Sequence, residues 1–363
     1  MRNTIGDNVR LTLFGESHNE IIGAVLDGIC PGIKVDEEFI KLQLKKRRPM
    51  NGETPRIEID DFKIVSGVFN GYTTGEAICL LIENHNTRSQ DYEDIKSIAR
   101  PSHADYVAHV KYHGFNDYRG GGHFSGRITA PIVAIGSIVL KALEKKNIYI
   151  ATHIKKCGNV VDQDFLEVEK EVKELSGKII PVISNIEEDI QNEILKAKIE
   201  QDSIGGILQT AIIGLPVGLG QPWFSSVEGK IANAVFSIGG VKGIEFGAGF
   251  NFANLKGSSS NDQFEIVNEK VITKTNNNGG INGGITNGMP IVFNTAIKPT
   301  PSIGLSQDTI DFVKGENVET KVTGRHDPAI VRRIAVVIDS ITALVVADLL
   351  SMRYGEDFLE YEE

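Results

Sequence analysis

The chain contains 363 residues, of which 41% are hydrophobic and 24% are charged, and this balance indicates a folded protein rather than a disordered chain. Its formal net charge of −10 disfavours a general nucleic-acid-binding role, so a bound anion would need a local cluster of basic residues. The three cysteines follow no metal-binding spacing, which predicts a reducing compartment and no metal site. The N-terminal segment lacks a signal-peptide pattern and no stretch reaches membrane-spanning length, so we expect a soluble, cytoplasmic protein.

Hydrophobic periodicity predicts a mixture of strands and helices along the chain. We expect strands over residues 11–15, 24–29, 56–59, 62–69, 77–83, 207–215 and 291–296. We expect helices over residues 37–46, 129–144, 167–175, 187–201, 227–236 and 330–353. The helices at 129–144 and 330–353 are apolar on most faces, which predicts that both are buried in the core.

Three short patterns recur in the same order in the two halves of the chain. The pairs are residues 28–33 with 214–219, residues 71–78 with 284–291, and residues 100–103 followed by the helix at 129–144 with residues 325–328 followed by the helix at 330–353. Three matches in order predict one domain over residues 1–363 built from a duplicated α+β unit, with halves at about 1–150 and 203–363. Residues 153–202 are charged and helical in period, and we interpret them as a peripheral excursion.

Residues 100–127 form the densest cluster of chemically active side chains. Four of the eight histidines lie here among four cations and three consecutive glycines: His103, His109, His113, His123, Arg100, Lys111, Arg119, Arg127, Gly120, Gly121 and Gly122. A glycine run lets backbone N–H groups approach a ligand, and arginines offer forked donors to phosphate or carboxylate. Any one of these histidines alone is more typical of a structural residue, but their joint placement indicates a site that exchanges protons.

Further candidates lie in tight turns elsewhere. His18 follows the first predicted strand, Asp327 precedes the last helix, and Lys298 precedes a proline-stiffened turn. The chain has no phosphate-binding P-loop, no Rossmann fingerprint, no H-E-x-x-H motif and no well-placed nucleophile elbow. The spacing of the central histidines fits no common metal site. These residues therefore predict a site that binds a multiply anionic ligand and moves one or two protons.

Nine short segments, in order along almost the whole chain, resemble the chorismate synthase family. They are Gly15-Glu16-Ser17-His18, Asp27-Gly28 with Pro31-Gly32, Arg47-Arg48-Pro49, Arg88-Ser89-Gln90-Asp91-Tyr92, Arg100-Pro101 with His103-Ala104-Asp105, Asp117-Tyr118-Arg119-Gly120-Gly121-Gly122, Asp202-Ser203 with Gly205-Gly206, Lys298-Pro299-Thr300 and Gly324-Arg325-His326-Asp327-Pro328. Only residues 153–200 are largely unmatched. The resemblance implies an α+β fold, a β-α-β sandwich with helices between two antiparallel sheets.

The resemblance also implies a reaction and its partners. It implies a lyase that converts 5-enolpyruvylshikimate 3-phosphate to chorismate and phosphate by anti-1,4-elimination, the last common step of aromatic amino acid biosynthesis. Reduced FMN would be required although the reaction is redox-neutral overall, and NADPH would be a possible reductant. A homotetramer with a small-molecule substrate, and with no nucleic-acid or membrane partner, is expected.

Residue roles follow from the same resemblance. His18 would protonate the departing phosphate, His103 would stabilise the reduced flavin near its N1, and Asp327 would help to take the proton at flavin N5. The phosphate and carboxylates of the substrate, or NADPH, would be held by Arg47, Arg48, Arg100, Arg127 and Arg325. FMN would lie against His123, Phe124, Ser125, Gly239, Gly240, Gly283, Lys298, Pro299, Thr300, Pro301, Ser302 and Arg325.

Several positions depart from the family pattern. Residues that replace the usual ones are Asn19, Ser102, His123, Phe124, Gly126, Ile128, Gly239 and Gly240, and an arginine expected within residues 50–54 is missing. These changes touch the expected flavin pocket, so a flavin-binding protein or an NADPH:FMN reductase without elimination activity is the alternative function. Retention of His18 argues against that alternative, because a flavin carrier does not need an acid for a leaving group.

Overall fold

A computed structural model describes residues 3–50, 53, 59–85, 96–321 and 327–360. Its first antiparallel sheet contains β1 (Thr4–Ile5), β2 (Arg10–Phe14), β3 (Ile21–Asp27), β4 (Phe62–Ser66) and β7 (Ile78–Glu83), in the order β1-β2-β3-β7-β4. A hairpin of β5 (Val68–Phe69) and β6 (Tyr72–Thr73) lies between β4 and β7 in the sequence. Residues alternate along β3, so Ile22, Ala24 and Leu26 are buried on one face of the sheet.

The second sheet is also five-stranded and antiparallel. It contains β8 (Tyr149–Cys157), β9 (Val160–Val161), β10 (Gly206–Ile213), β11 (Val241–Phe246) and β16 (Ile291–Ile297), in the order β11-β16-β10-β8-β9. Within the described ranges, further pairs of short strands lie in the loops, and two of these pairs come from the glycine-rich tract. They are β12 (Phe264–Val267) with β13 (Lys270–Thr273), and β14 (Ile281–Asn282) with β15 (Ile285–Thr286). The pairs in the loops also include β17 (Gln307–Asp311) with β18 (Glu316–Thr320). The β5–β6 hairpin described above is a separate pair of the same kind.

Helices fill the space between the two sheets. Those that do so are α1 (Glu37–Arg47), α3 (Thr129–Lys145), α6 (Val227–Val235) and α8 (Val331–Tyr354). α3 packs on β3 and β7, α8 packs on β8 and β10, and the two helices pack on each other at the centre. One continuous core therefore joins both sheets, and the predicted α+β sandwich with helices between two antiparallel sheets is confirmed.

Local sequence explains where α1 begins and ends. The Asp36 carboxylate accepts a hydrogen bond from the Phe39 N–H at 3.0 Å and caps the first turn. Acidic residues occupy that turn, and the last turn is basic with Lys45, Lys46 and Arg47, as the helix dipole favours. The same basic end carries Arg47 towards the loops at one end of the sandwich.

Residues 153–202, the predicted excursion, contain two helices and the end of a strand, and not all of them lie at the periphery. Its first residues, up to Cys157, belong to β8, and α4 (Val168–Leu175) then packs on the outer face of the second sheet. α5 (Glu187–Ile199) places Ile190 and Ile194 in the main core. The charged residues that suggest a peripheral segment lie on the other faces of these helices.

The expectation that no segment reaches membrane-spanning length is wrong for two helices. Val331–Tyr354 has 24 residues and Gly126–Lys145 has 20 residues, and the most apolar 18-residue stretches within them have mean hydropathies of 2.1 and 1.5. In their most apolar stretches 94% and 83% of the residues, respectively, are buried inside the protein. Both are core helices that the two sheets cover, as their apolar faces predict.

The sequence pattern does not predict every element of the fold. The pattern does not predict β8, because this strand carries Thr, His and Lys. It does not predict β11, because this strand lies in a glycine-rich tract. The pattern also does not predict two short helices, α2 (Asp105–Lys111) and α7 (Gly257–Ser260), because they are too short to show a helical repeat of apolar residues. The strand predicted at 56–59 lies almost entirely outside the described residues.

Candidate active site

The triple glycine of residues 120–122 brings His18 and His103 together. Gly120, Gly121 and Gly122 have φ values of 60°, 84° and 54°, a left-handed path that side chains disfavour. A Cβ atom on Gly120 would overlap the imidazole of His18. A Cβ atom on Gly121 would lie 3.4 Å from Cε1 of His103. The two imidazoles therefore pack on successive glycines, although they come from distant parts of the chain.

Ser17 determines which ring nitrogen of His18 carries the hydrogen when the ring is neutral. Its fully buried hydroxyl donates to the carbonyl of Arg119 at 3.0 Å and lies 3.1 Å from Nδ1 of His18. A hydroxyl has one hydrogen, so Nδ1 of His18 must donate to Ser17. Nε2 of His18 then carries no hydrogen in the neutral ring, and it is the nitrogen that gains the proton when the ring is protonated.

His103 belongs to a charged group with Asp105 and Arg100. Nδ1 of His103 lies 2.7 Å from Oδ1 of Asp105, and Arg100 donates to both oxygens of the same carboxylate at 2.8 Å. Burial alone would raise the pKa of Asp105, but hydrogen bonds from Arg100 and His103 outweigh it and hold the pKa well below its ordinary value. The ionised Asp105 accepts from Nδ1–H of His103 and leaves Nε2 beside Gly121.

Residues 298–302 lie against this group. Arg100 Nη1 donates to the hydroxyl of Ser302 at 3.3 Å, and Lys298 Nζ donates to the carbonyl of Ser102 at 2.7 Å. Desolvation, and then the nearby Lys242, lower the pKa of Lys298. The turn thus presents one cation, Lys298, and the Ser302 hydroxyl to the same region as His103.

Asp327 is anchored from two sides. The Thr300 hydroxyl donates to the backbone carbonyl of Asp327 at 2.6 Å, and Arg333 Nη1 donates to its carboxylate at 2.6 Å. Burial raises the pKa of Asp327, although the Arg333 guanidinium opposes that effect. Asp327 is therefore a carboxyl group that holds a proton more readily than an exposed aspartate does.

Arg47 and Arg127 share one buried carboxylate. Arg47 donates to Asp60 at 2.9 Å and to the Gly126 carbonyl at 3.1 Å, and Arg127 also pairs with Asp60. All three side chains are at most 4% exposed. Arg127 Nε donates to Asn84 at 2.9 Å. The protein therefore already holds both guanidinium groups at this carboxylate.

His123 and Phe124 connect the site to a large cleft. Nδ1 of His123 lies 3.4 Å from Glu16 and Nε2 lies 3.1 Å from the Tyr112 hydroxyl. His123, Phe124 and Gly15 line one end of a cleft of about 750 Å³ between the first sheet, α6 and the facing sides of α3 and α8. Phe124 also lines a cavity of about 60 Å³ that includes His103. Neither cavity is lined by His18 or Asp327.

Bare backbone forms the wall beside Phe124. The Lys298 N–H donates to the Gly240 carbonyl at 2.9 Å, which joins residues 239–240 to the Lys298 turn. A Cβ atom on Gly239 would meet only the Phe124 carbonyl, at 3.9 Å. A flat aromatic ring can approach such a wall closely, while Lys298, Ser302 and Arg100 offer donors for a phosphate. The residues present therefore fit a flavin mononucleotide.

The contacts above link most predicted site residues into one group, but not all of them. Gly283 lies in the β14–β15 turn beside residues 220–226, at the end of β16 away from Lys298. Arg48 is exposed, and its backbone carbonyl accepts a hydrogen bond from α8. Arg325 lies outside the described residues. Ser125 caps the turn before α3, and Pro299 and Pro301 flank Thr300.

Sequence reasoning misses several residues that hold this group together. They are Ser17, Asp60, Asp105, Arg332 and Arg333. Two arginines at the start of an otherwise apolar helix are a usable signal, since such a helix does not bury cations without partners. Asp60 gives no comparable signal, because its partners are far away in the sequence.

An α+β sandwich that gathers two oriented imidazoles, a buried carboxyl group and a cationic cluster at the ends of its helices defines an enzyme rather than a scaffold protein. Such a group of side chains is able to exchange protons with an anionic ligand.

Comparison with known proteins gives the particular family. The family model described as chorismate synthase matches residues 9–351. The chain is 47% identical to the chorismate synthase of Pyrococcus abyssi, covering 96% of this chain and 97% of that protein, and 44% identical to that of Thermococcus gammatolerans with the same coverage. A crystal structure of a chorismate synthase superposes with a TM-score of 0.77 at 29% identity, covering 98% of this chain and 95% of the other. The chain belongs to the chorismate synthase family, and it is an enzyme of the lyase class.

Proposed function

We propose that this protein converts 5-enolpyruvylshikimate 3-phosphate to chorismate and phosphate by anti-1,4-elimination with the help of reduced FMN. This is the last common step of aromatic amino acid biosynthesis. The observation that carries the proposal is a set of contacts that joins His18 to His103 across Gly120 and Gly121, and His103 to Asp327 through Arg100 and residues 300–302. The family relationship supports the same reaction.

His18 is the acid for the leaving group. Its Nδ1 donates to Ser17, so a protonated His18 offers Nε2–H to a departing phosphate oxygen. The guanidinium groups of Arg47 and Arg127, together with the exposed Arg48, would stabilise charge on that phosphate. Because protein groups already hold Arg47 and Arg127, they act as a preorganised positive field and need little rearrangement.

Reduced FMN supplies an electron-rich ring that lends an electron transiently when it is bound. Residues that would hold it include His103, Ser125, the bare backbone at 239–240, and residues 298–302 with Arg325. His103 with its ionised Asp105 partner would place a donor at the ring, and Lys298 with Ser302 would bind the phosphate. NADPH or an outside reductant would supply the electrons that reduce the flavin.

Asp327 accepts the proton that leaves the substrate ring. Burial raises its pKa, so this carboxyl group retains a proton at a higher pH than an exposed aspartate. The Arg333 guanidinium opposes this rise and so favours the ionised form that can accept a proton. The two proton-handling groups thus differ: His18 gives a proton and Asp327 takes one.

The assembly and location are part of the same proposal. Aromatic side chains are exposed on this single chain, with Phe115 at 92%, Phe224 at 98% and Trp223 at 84%. Large exposed aromatic residues mark surfaces that bind another protein chain. They support the homotetramer, and we expect it in the cytoplasm with no nucleic-acid or membrane partner.

The test is an anaerobic assay with chemically reduced FMN and 5-enolpyruvylshikimate 3-phosphate. Release of phosphate together with chorismate is expected, and His18→Ala or His103→Ala should lower turnover at least about 100-fold with the fold intact. Near-normal turnover in both variants would contradict these roles. Flavin reduction by NADPH with no phosphate release would instead favour the alternative function, an NADPH:FMN reductase. The observation behind that alternative is that His123 and Phe124 replace the usual family residues at the expected flavin pocket.

A further inference from the structure

We propose that Arg333 is a positioning residue that fixes Asp327 against the arginine-rich end of α1 and keeps its carboxyl group ionised. The inference rests on the proposed function, because that reaction is what gives Asp327 a proton to accept. It assigns a task to a residue of the last helix, which is otherwise a core helix.

The geometry rests on two short hydrogen bonds from one guanidinium. Arg333 Nη1 donates to Oδ2 of Asp327 at 2.6 Å, and Arg333 Nε donates to the carbonyl of Arg47 at 2.6 Å. The side chains of Arg333 and Asp327 are 20% and 12% exposed. A planar guanidinium holds its donors in fixed directions, so it sets the distance between Asp327 and the end of α1. Lysine cannot make both bonds in this way.

A neighbouring residue carries the structural connection between the two helices. Arg332 donates to the carbonyls of Lys46 and Arg48 at 2.9 and 2.6 Å and pairs with the buried Glu53 at 2.6 Å. These bonds fasten the end of α1 to the start of α8. Arg333 adds one more bond to the end of α1 and is the arginine of this pair that reaches Asp327, so its loss should affect Asp327 directly.

The charges around Asp327 explain why its ionisation depends on Arg333. Its carboxylate accepts from the Ala329 N–H at 3.3 Å and from Arg333, while Thr300 binds its backbone carbonyl. Burial raises the pKa of Asp327, and the negative charge of Glu53 raises it further. Arg333 supplies the positive charge that opposes both. Without it, the pKa would rise further and more of the carboxyl groups would be protonated near neutral pH.

The decisive variant is Arg333→Gln, studied by two independent measurements. The first is the pH dependence of anaerobic turnover, where we expect the acidic limb to move to higher pH and activity to recover as the pH is raised. For each tenfold increase in the proton affinity of Asp327, turnover on that limb should fall about tenfold, with a smaller change in KM. Arg353→Gln removes a cation from the other end of α8, about 30 Å away, and should leave the profile unchanged.

The second measurement is the titration of the Asp327 carboxyl carbon by NMR without cofactor, with Asp327→Asn for assignment. A higher pKa in Arg333→Gln supports the proposal even if the wild-type protein released no phosphate, in which case only the proposed function would fail. An unchanged Asp327 pKa in a folded variant, or a loss of turnover that is the same at every pH, would overturn it. If Arg333→Gln does not fold, Arg333→Lys provides the test. This variant should keep Asp327 ionised but lower turnover. Turnover in Arg333→Lys equal to that of the wild-type protein would contradict the positioning role.

Discussion

At the scale of single residues, Gly120 shows how one backbone position determines the site. The sequence predicts that the glycine run brings backbone N–H groups to an anion. In the structure Gly120 has φ of 60° and its Cα faces the imidazole of His18 with no room for a side chain. Its absent side chain is what lets His18 approach the turn on which His103 packs at Gly121.

Gly120→Ala should therefore displace His18. We expect turnover to fall about 100-fold, because a displacement of about 1 Å of a reacting group has that effect. The left-handed backbone should also cost about 1–2 kcal/mol of stability. Anaerobic turnover and thermal denaturation would measure both effects. Gly177→Ala is the control, since a Cβ there meets nothing within 4 Å. Equal turnover in the two variants would show that His18 does not depend on this packing.

Asp339 gives a prediction about pH at the same scale. One oxygen of its carboxyl group is fully buried within the protein. Desolvation raises the pKa of Asp339 to about 7, although Thr152 and Lys46 oppose the rise. A carboxyl group whose pKa is raised by folding stabilises the folded state when it is protonated. The folded protein should thus lose stability as the pH rises from about 4 through about 7.

Asp339→Asn should remove most of this pH dependence. The free energy of unfolding, measured in urea at about pH 5 and about pH 8, should decrease less with rising pH in the variant than in the wild-type protein. The same slope in both proteins would mean that another group is responsible.

At the scale of elements, the centre of the molecule is the crossing of α3 and α8. The apolar pattern of both helices predicts that they are buried, and this is confirmed. Which helix each would meet is not predictable, because periodicity defines an apolar face and not its partner. The crossing occurs at Gly136, where a Cβ would lie 2.6 Å from Cβ of Ser340.

Gly136→Ala should destabilise the protein, although alanine usually favours a helix. We expect a loss of about 1–3 kcal/mol, because the added methyl group must push the helices apart. Chemical denaturation would measure it. Gly229→Ala in α6 is the matched control, since its Cβ would meet only the Ser226 hydroxyl, at 3.1 Å, and it should be neutral or slightly stabilising. A higher free energy of unfolding in Gly136→Ala would show that the helix crossing can accommodate the added methyl group.

At the scale of the whole molecule, the two sheets have the same strand order. β2-β3-β7-β4 in the first sheet corresponds to β8-β10-β16-β11 in the second, and both orders are first, second, fourth, third along the chain. α1 and α6 follow the second strand of each set, and α3 and α8 follow the fourth. This correspondence supports the predicted duplication, and superposition of the two halves is its direct test.

One hydrogen-bond pattern is repeated in detail. The Thr73 hydroxyl accepts from the Ile33 N–H at 2.9 Å and donates to the Cys30 carbonyl at 2.8 Å. In the second half, the Thr286 hydroxyl accepts from the Leu219 N–H at 2.9 Å and donates to the Pro216 carbonyl at 2.7 Å. Both threonines are buried. Two turns with the same bonds at the same place in each half are the expected remnant of a duplicated unit.

Thr73→Val and Thr286→Val should therefore destabilise the protein by similar amounts. We expect about 1–3 kcal/mol for each, because the backbone groups of the turn lose their buried partner. The effects should add in the double variant, since the turns lie in different halves. Thermal and chemical denaturation would measure them, and a large effect from only one threonine would count against equivalent roles.

The sequence by itself determined the α+β class, the helices that form the core, and the turns that carry the candidate site. These features depend on local patterns of apolar residues, glycines and charges, which act over a few residues. Only the tertiary structure decided that Asp60 pairs with Arg47 and Arg127, that Arg333 holds Asp327, and that Gly283 lies away from the other residues. Those contacts join residues far apart in the chain, and they exist only after two sheets close over one layer of helices.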